Sequence, residues 1–96
     1  MNVEYLKQAK HELDNAIEYY ELQKAGLGFL FQTEVRRAIR IISQFPQAYA
    51  ETENGVRRCI LHKFPHNILY TILDKCILII AIGHQHRMPD YWHNRM

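Results

Sequence analysis

A change of hydrophobic period near the middle of the chain does most to limit its possible folds. From Ala9 the apolar residues Ala9, Leu13, Ala16, Ile17 and Tyr20 recur at helical spacing, with Lys10, His11, Glu12, Asp14, Asn15 and Glu18 on the other face. Ala25-Gly26-Leu27-Gly28 interrupts this stripe, and Gly26 suits a left-handed cap. A second stripe, Leu27, Phe31, Val35, Ala38, Ile39 and Ile42, stops at Phe45-Pro46, since proline disfavours helical geometry in the residue before it. So short a connection makes the two helices antiparallel neighbours. After Asn54-Gly55 the period changes. Val56 to His62, Asn67 to Leu73 and Cys76 to His84 are short, rich in Ile and Leu, and bounded by Pro65 and Asp74-Lys75, which predicts strands. Asp74-Lys75 fits a two-residue hairpin turn. Cys76 to Ile82 is apolar at every position and reads as a mid-sheet strand. Asn2 to Leu6 has room for one short strand, and the tail after Pro89 for a single helical turn.

A helical hairpin cannot bury its stripe alone, and strands offering one apolar face supply the partner. The expected architecture is α+β, as one domain over residues 1–96. A short N-terminal strand and an antiparallel helical hairpin pack on a twisted, mainly antiparallel sheet of three to four strands, followed by a short C-terminal helical turn. A hydrophobic fraction of 48% with 23% charged residues excludes an extended disordered chain. No apolar run approaches the roughly 20 residues that cross a bilayer, and no basic stretch precedes an apolar core near Met1. A cytoplasmic protein without a membrane partner is expected. Cys59 and Cys76 lack CxxC or framework spacing and read as incidental reduced thiols.

Charge is unevenly distributed. Residues 1–54 hold eight acids and six bases, whereas residues 55–96 hold two acids, six bases and five of the six histidines. The second half is therefore the place to meet a polyanion or an acidic partner. No Walker loop, GxGxxG, GxSxG, HExxH or CxxC is present, which argues against nucleotide-dependent and common hydrolytic enzymes. Strand alternation puts Arg57 and Arg58 on opposite faces, one open and the other held near the helix layer or the sheet rim, and either guanidinium can grip phosphate or carboxylate. His84-Gln85-His86-Arg87 ends the last strand, where H-x-H on an extended chain throws both imidazoles to one side, with His62 or His66 approaching from neighbouring strands. One tight pair is too few for zinc, so neither a metal nor another cofactor is expected. Acid–base chemistry on RNA would use His86 with Arg57 or Arg87. Tyr70, Tyr91 and Trp92 form the aromatic complement, with Trp92 read as an anchor for the tail. Arg36, Arg37 and Arg40 make a basic stripe on the second helix, read as a solvated face.

Val56-Arg57-Arg58-Cys59-Ile60-Leu61-His62-Lys63-Phe64-Pro65-His66-Asn67-Ile68-Leu69-Tyr70 resembles the "RR…L…FPY.I.Y" signature of RelE/ParE-superfamily toxins. Ile77 to Ile82, His84-Gln85-His86-Arg87 and Pro89-Asp90-Tyr91-Trp92 with Arg95 extend the likeness. So do Glu12-Leu13, Ala16 and Tyr19-Tyr20-Glu21 in the first half. The resemblance implies a toxin of a type II toxin–antitoxin module, neutralised by a cognate antitoxin that wraps its helices and sheet. It implies one of two activities: metal-independent cleavage of mRNA in the ribosome, or inhibition of DNA gyrase without catalysis. Asn67 stands where several mRNA-cleaving members carry a phosphate-binding arginine, His86-Arg87 where some have His-Tyr, and Tyr49 to Glu53 lacks a lysine-rich stretch. These departures favour the ParE-like, gyrase-directed subgroup, with no confident catalytic residue. The alternative is a RelE-like endoribonuclease using His86 with Arg57, Arg58 or Arg87. Target or antitoxin binding is expected at Arg57, Arg58, His62, Lys63, His84, His86, Arg87, Tyr91, Trp92 and Arg95.

Overall fold

The computed structural model describes residues 1–96. Its elements run β1 (Asn2–Tyr5), α1 (Lys7–Gln23), α2 (Leu27–Gln44), β2 (Val56–Ile60), β3 (His66–Leu73), β4 (Cys76–His84) and a 3-10 turn at His93–Arg95. No helix is long and apolar enough to cross a membrane.

The helical hairpin turns on Gly26, whose φ of 89° lies in the left-handed region. Glu21 closes the turn from the end of α1. It accepts the Gly26 N–H at 2.9 Å and the Gly28 N–H at 3.0 Å, so a carboxylate sits over the first, unpaired donors of α2.

The strands form one sheet in the order β1-β4-β3-β2. β2 with β3 and β3 with β4 are antiparallel, as the short connections require. β1 departs from that pattern: it pairs parallel with β4, from Asn2 opposite Cys76 to Tyr5 opposite Ile79. The helices and the first two strands of the β half make the crossover that a parallel pair needs. β4 therefore has a neighbour on each side, which accounts for its unbroken apolar run.

The helix layer covers one sheet face, joining Ala9, Leu13, Phe31, Val35 and Ile42 to Ile68, Tyr70, Ile77, Ile79 and Ile82. On the other face, Val56, Leu69, Ile80 and Ala81 are covered by Trp92, which is only 5% exposed. Both Ile80 and Ala81 reach this second cluster because the β3–β4 register shifts between Leu69 and Tyr70. Leu69 pairs with Ala81 and Tyr70 with Ile79, leaving Ile80 as the extra residue of a bulge.

The end of β2, the chain after β4 and the tail differ from the sequence expectation, while β4 itself spans Cys76–His84 as expected. β2 stops at Ile60, so His62 lies in the bend that follows. β4 stops at His84, because the Gln85 N–H donates to the Pro65 carbonyl (2.8 Å) and the Arg87 N–H to the His84 carbonyl (3.1 Å). Those bonds fold the chain back, so His86 sits on a turn and not on extended backbone. The tail turns at Pro89 to Trp92 before its helical residues, His93–Arg95. Asn54 and Gly55, with φ of 54° and 76°, close an additional tight turn in which the Thr52 N–H donates to the Val56 carbonyl at 2.7 Å.

Candidate functional site

The two adjacent arginines of β2 have different fates. Arg57 faces the helix layer beside Cys59. Its Nη1 donates to the carbonyls of Tyr49 (2.7 Å) and Gln47 (3.3 Å), and Glu51 stands 3.7 Å from its other terminal nitrogen. It is a strut for the chain between α2 and β2. Arg58 faces the tail side, is exposed, and has no acidic partner. Lys63 lies 4.0 Å from the buried Glu34 of α2, and His62 lines a small apolar groove beside Ala38 and Ile41. Arg57, His62 and Lys63 thus belong to the helix side, apart from the other residues named from the sequence.

Arg87, Tyr91 and Arg95 gather around Glu12, which the helical pattern assigns to a solvated face. Its Oε1 accepts from Arg95 Nη1 and its Oε2 from Arg95 Nη2, both at 2.8 Å. Oε2 also accepts from Arg87 Nη1 at 2.8 Å, and Oε1 from the Ile82 N–H at 3.0 Å. Arg95 donates in turn to the Ile80 carbonyl at 3.1 Å. β1 ends at Tyr5, opposite Ile79, so the N–H of Ile82 and the carbonyl of Ile80 lie on β4 edge that no strand covers. The Glu12–Arg95 pair substitutes for the missing strand. Its hydrogen bonds to Glu12 raise the pKa of Arg95 further. Both guanidiniums lie over the Tyr91 ring, Arg87 at 3.9 Å and Arg95 at 5.2 Å from its centroid. Burial, with help from the Glu12 carboxylate, pushes the Tyr91 hydroxyl up to about 12. This ring occupies the space a side chain at Gly83 would need.

The histidines form a ladder at the end of β3 and β4. His66 pairs with His84 in the register, their rings 5.4 Å apart, and His84 lies 5.2 Å from His86. His66 is 8% exposed, packed edge-on against Tyr20 and Phe31, with the Tyr20 hydroxyl 3.4 Å from Nδ1. Burial, reinforced by His84, lowers its pKa to about 4, so it is neutral at pH 7. The His86 N–H donates to His84 Nδ1 at 3.1 Å, which leaves His84 an Nε2–H to offer outward. No group of three or more His, Cys, Asp and Glu is arranged to hold a metal ion.

A cleft of about 180 Å³ lies on the tail side of the sheet, where Arg58, Asn67, His84, Arg87, Tyr91 and Trp92 meet. Glu53 is on its margin, tied to His93 at 2.7 Å. The second half is therefore less basic in three dimensions than in sequence. Glu12, Glu34, Glu51 and Glu53 fold over from the first half onto Arg87 and Arg95, Lys63, Arg57 and His93. Nothing in the local pattern of α1 marks Glu12 for this. Only the tail's position does.

Residues 3–89 match the family described as "ParE toxin of type II toxin-antitoxin system, parDE". Among solved structures, one described as "Chromosomal ParDE TA system from P. aeruginosa" is similar in fold, with a TM-score of 0.77 at 18% identity. The match covers 88% of this chain and 95% of that one. No curated protein matches.

Proposed function

The chain belongs to the ParE toxin family of type II toxin–antitoxin systems, and on that premise we propose that it arrests growth by inhibiting DNA gyrase. The commitment of its cations carries this reading. A metal-independent ribonuclease needs an acid–base group beside a cation free to stabilise the phosphorane-like transition state. Here Arg57 is spent on the Tyr49 and Gln47 carbonyls and Arg87 on Glu12, and His86 stands on an exposed turn. Arg58 is the one arginine of the three left unpaired, and its strand face is opposite that of Arg57. Such a surface favours holding a target over cutting one. The site of action is then the cytoplasm, where gyrase works, and no cofactor enters the scheme.

A cognate antitoxin is the partner that keeps this activity in check. Tyr19 and Leu22 on α1, Phe29, Leu30 and Ile41 on α2, and Phe45 just after it are exposed apolar side chains of the helix layer. They suit an amphipathic segment that buries them.

Pulse expression with DNA, RNA and protein synthesis followed separately tests the proposal. DNA synthesis should stop first, with gyrase–DNA cleavage complexes accumulating and mRNA intact. Codon-positioned cuts in translated mRNA, lost in His86→Ala, would instead establish the RelE-like endoribonuclease. Unchanged growth would mark an inert binding module.

A further inference from the structure

Between α2 and the outer edge of β2 runs a groove of about 170 Å³, lined by Ala38, Ile41, Tyr49, Cys59, Ile60 and Leu61. Cofactor sites are larger, roughly 300–1,000 Å³, so this groove has the size of a single side chain. Ile41 and Ile60 form its lips, 39% and 53% exposed. Its wall holds one charge that the protein leaves short of donors. Glu34 is 8% exposed, yet its carboxylate accepts no hydrogen bond. The one cation near it, Lys63, stands 4.0 Å away on a side chain 67% exposed. A buried carboxylate normally holds a close, hydrogen-bonded counter-charge. The remaining 11% of the Glu34 side chain opens on the groove, so an incoming group reaches it there. β2 is uncovered alongside. Ala50 to Thr52 run along its edge only as far as Arg58, whose N–H donates to the Ala50 carbonyl at 3.1 Å. Alternation then leaves the N–H and carbonyl of Ile60 facing outward.

We infer that this groove binds the side chain of a lysine presented by an extended segment of a protein partner, with the ammonium on Glu34 and the stem on Ile41 and Ile60. This occupant rests on the reading of a toxin held by an antitoxin, and not on gyrase. The chemistry of the walls selects it. An ammonium on an apolar stem gives Glu34 the donors it lacks while the stem covers the apolar lining. A purely apolar side chain would fill the groove but seal off the carboxylate with no donor, which is costly. An acidic side chain would be drawn to Arg37 and Lys63 at the mouth but repelled by Glu34 within. Those two cations, with His62, are instead met by acidic residues on either side of the lysine. A polypeptide is favoured over a free amine by what continues the groove along α2. Leu30, one turn before Glu34, and Phe45, one turn after Ile41, are 57% and 61% exposed, and only a segment covers them.

Short blocked peptides test this on the full, isotope-labelled chain, read from the backbone amide shifts of Ala38, Ile41, Ile60 and Leu61. The first has a central lysine between leucines, with glutamate at both ends. In two others norleucine or glutamate replaces the lysine. The lysine peptide should shift those amides and bind roughly tenfold or more tightly than either replacement. Glu34→Gln, which keeps the side-chain volume, should abolish the preference for lysine over norleucine. Circular dichroism checks that this variant is folded; should it not be, the peptide exchange on the parent chain decides alone. Lys63→Ala, which removes the rival cation, should tighten binding of the lysine peptide. Equal affinity for lysine and norleucine overturns the inference, as does a lysine preference that survives Glu34→Gln or shifts confined to other surfaces. Tighter binding of the glutamate peptide would make Arg37 and Lys63 the readers, and overturns it too. Free cadaverine binding as tightly as the lysine peptide would overturn the partner segment and leave a small-amine site. Growth arrest relieved by an antitoxin, in a chain that shows no lysine preference, keeps the functional reading and sinks this one.

Discussion

Arg95 lays its guanidinium bidentately on the carboxylate of Glu12, two bonds of 2.8 Å spanning 83 positions of sequence, with side chains only 12% and 15% exposed. A paired, partly buried fork of this kind is among the stronger polar contacts in proteins. Removing one partner costs more than the pair itself contributes, because the other is left without its counter-charge. Glu12→Ala should cost about 3 kcal/mol by urea denaturation, since it also strands the Ile82 N–H. Glu12→Gln keeps an acceptor for that N–H and should cost less. A double-mutant cycle of Glu12→Gln with Arg95→Gln should show a coupling of about 2 kcal/mol.

The neighbouring arginines of β2 separate stability from target binding. Arg57→Ala frees the Tyr49 and Gln47 carbonyls and should lower stability by about 1 kcal/mol. Arg58→Ala, which breaks no bond inside the molecule, should change stability by less than about 0.5 kcal/mol. Urea midpoints of the two variants, set beside their growth arrest on expression, give the comparison. Equal loss of stability in both would contradict the division of roles.

His66 makes the fold sensitive to mild acid. Its pKa is about 4 when folded, against an ordinary value of 6.5, so between those values the unfolded chain binds the extra proton. Stability should therefore be level above pH 6.5 and fall as the pH drops towards 4, by about 2 kcal/mol once solvent screening is allowed for. His66→Gln should flatten that part of the profile, measured as urea midpoints between pH 7 and pH 4.5. A variant as acid-sensitive as the parent would place the proton elsewhere.

Gly83 admits Tyr91 to the sheet. A methyl group there would overlap the Tyr91 hydroxyl and ring, with no flexible end to yield. Gly83→Ala should lift the tail, expose Trp92, and shift its fluorescence to longer wavelength while the helix signal persists. An unshifted spectrum would mean that Tyr91 and Trp92 move independently.

Much of the architecture was legible because it rests on short-range pattern. The two helical stripes, the break at Gly26 and the Phe45-Pro46 stop appear where the spacing put them, and the uniform apolarity of Cys76 to Ile82 marks a strand with two neighbours. The opposite faces of Arg57 and Arg58 follow from alternation alone, as does Trp92 as an anchor from its size and position. What sequence could not disclose depends on residues far apart. Glu12 sits on the polar face of its helix, and only the returning tail turns that face inward. The turn at Gln85 to Arg87 is held by the Pro65 carbonyl in the bend before β3, a contact that local pattern does not carry, so the extended backbone expected at His86 is replaced by a turn. The family match covers residues 3–89, short of Arg95.

The parallel pairing of Asn2–Tyr5 with Cys76–Ile79 also governs how the molecule assembles. β3 and β4 meet across two residues, Asp74 and Lys75, and can zip early. β1 has to await that hairpin, because its docking edge does not exist until β4 is in register and some seventy intervening residues have been ordered. The strand nearest the start of the chain is thus the last to join, and side-chain changes at Val3 should speed unfolding while leaving the refolding rate nearly untouched.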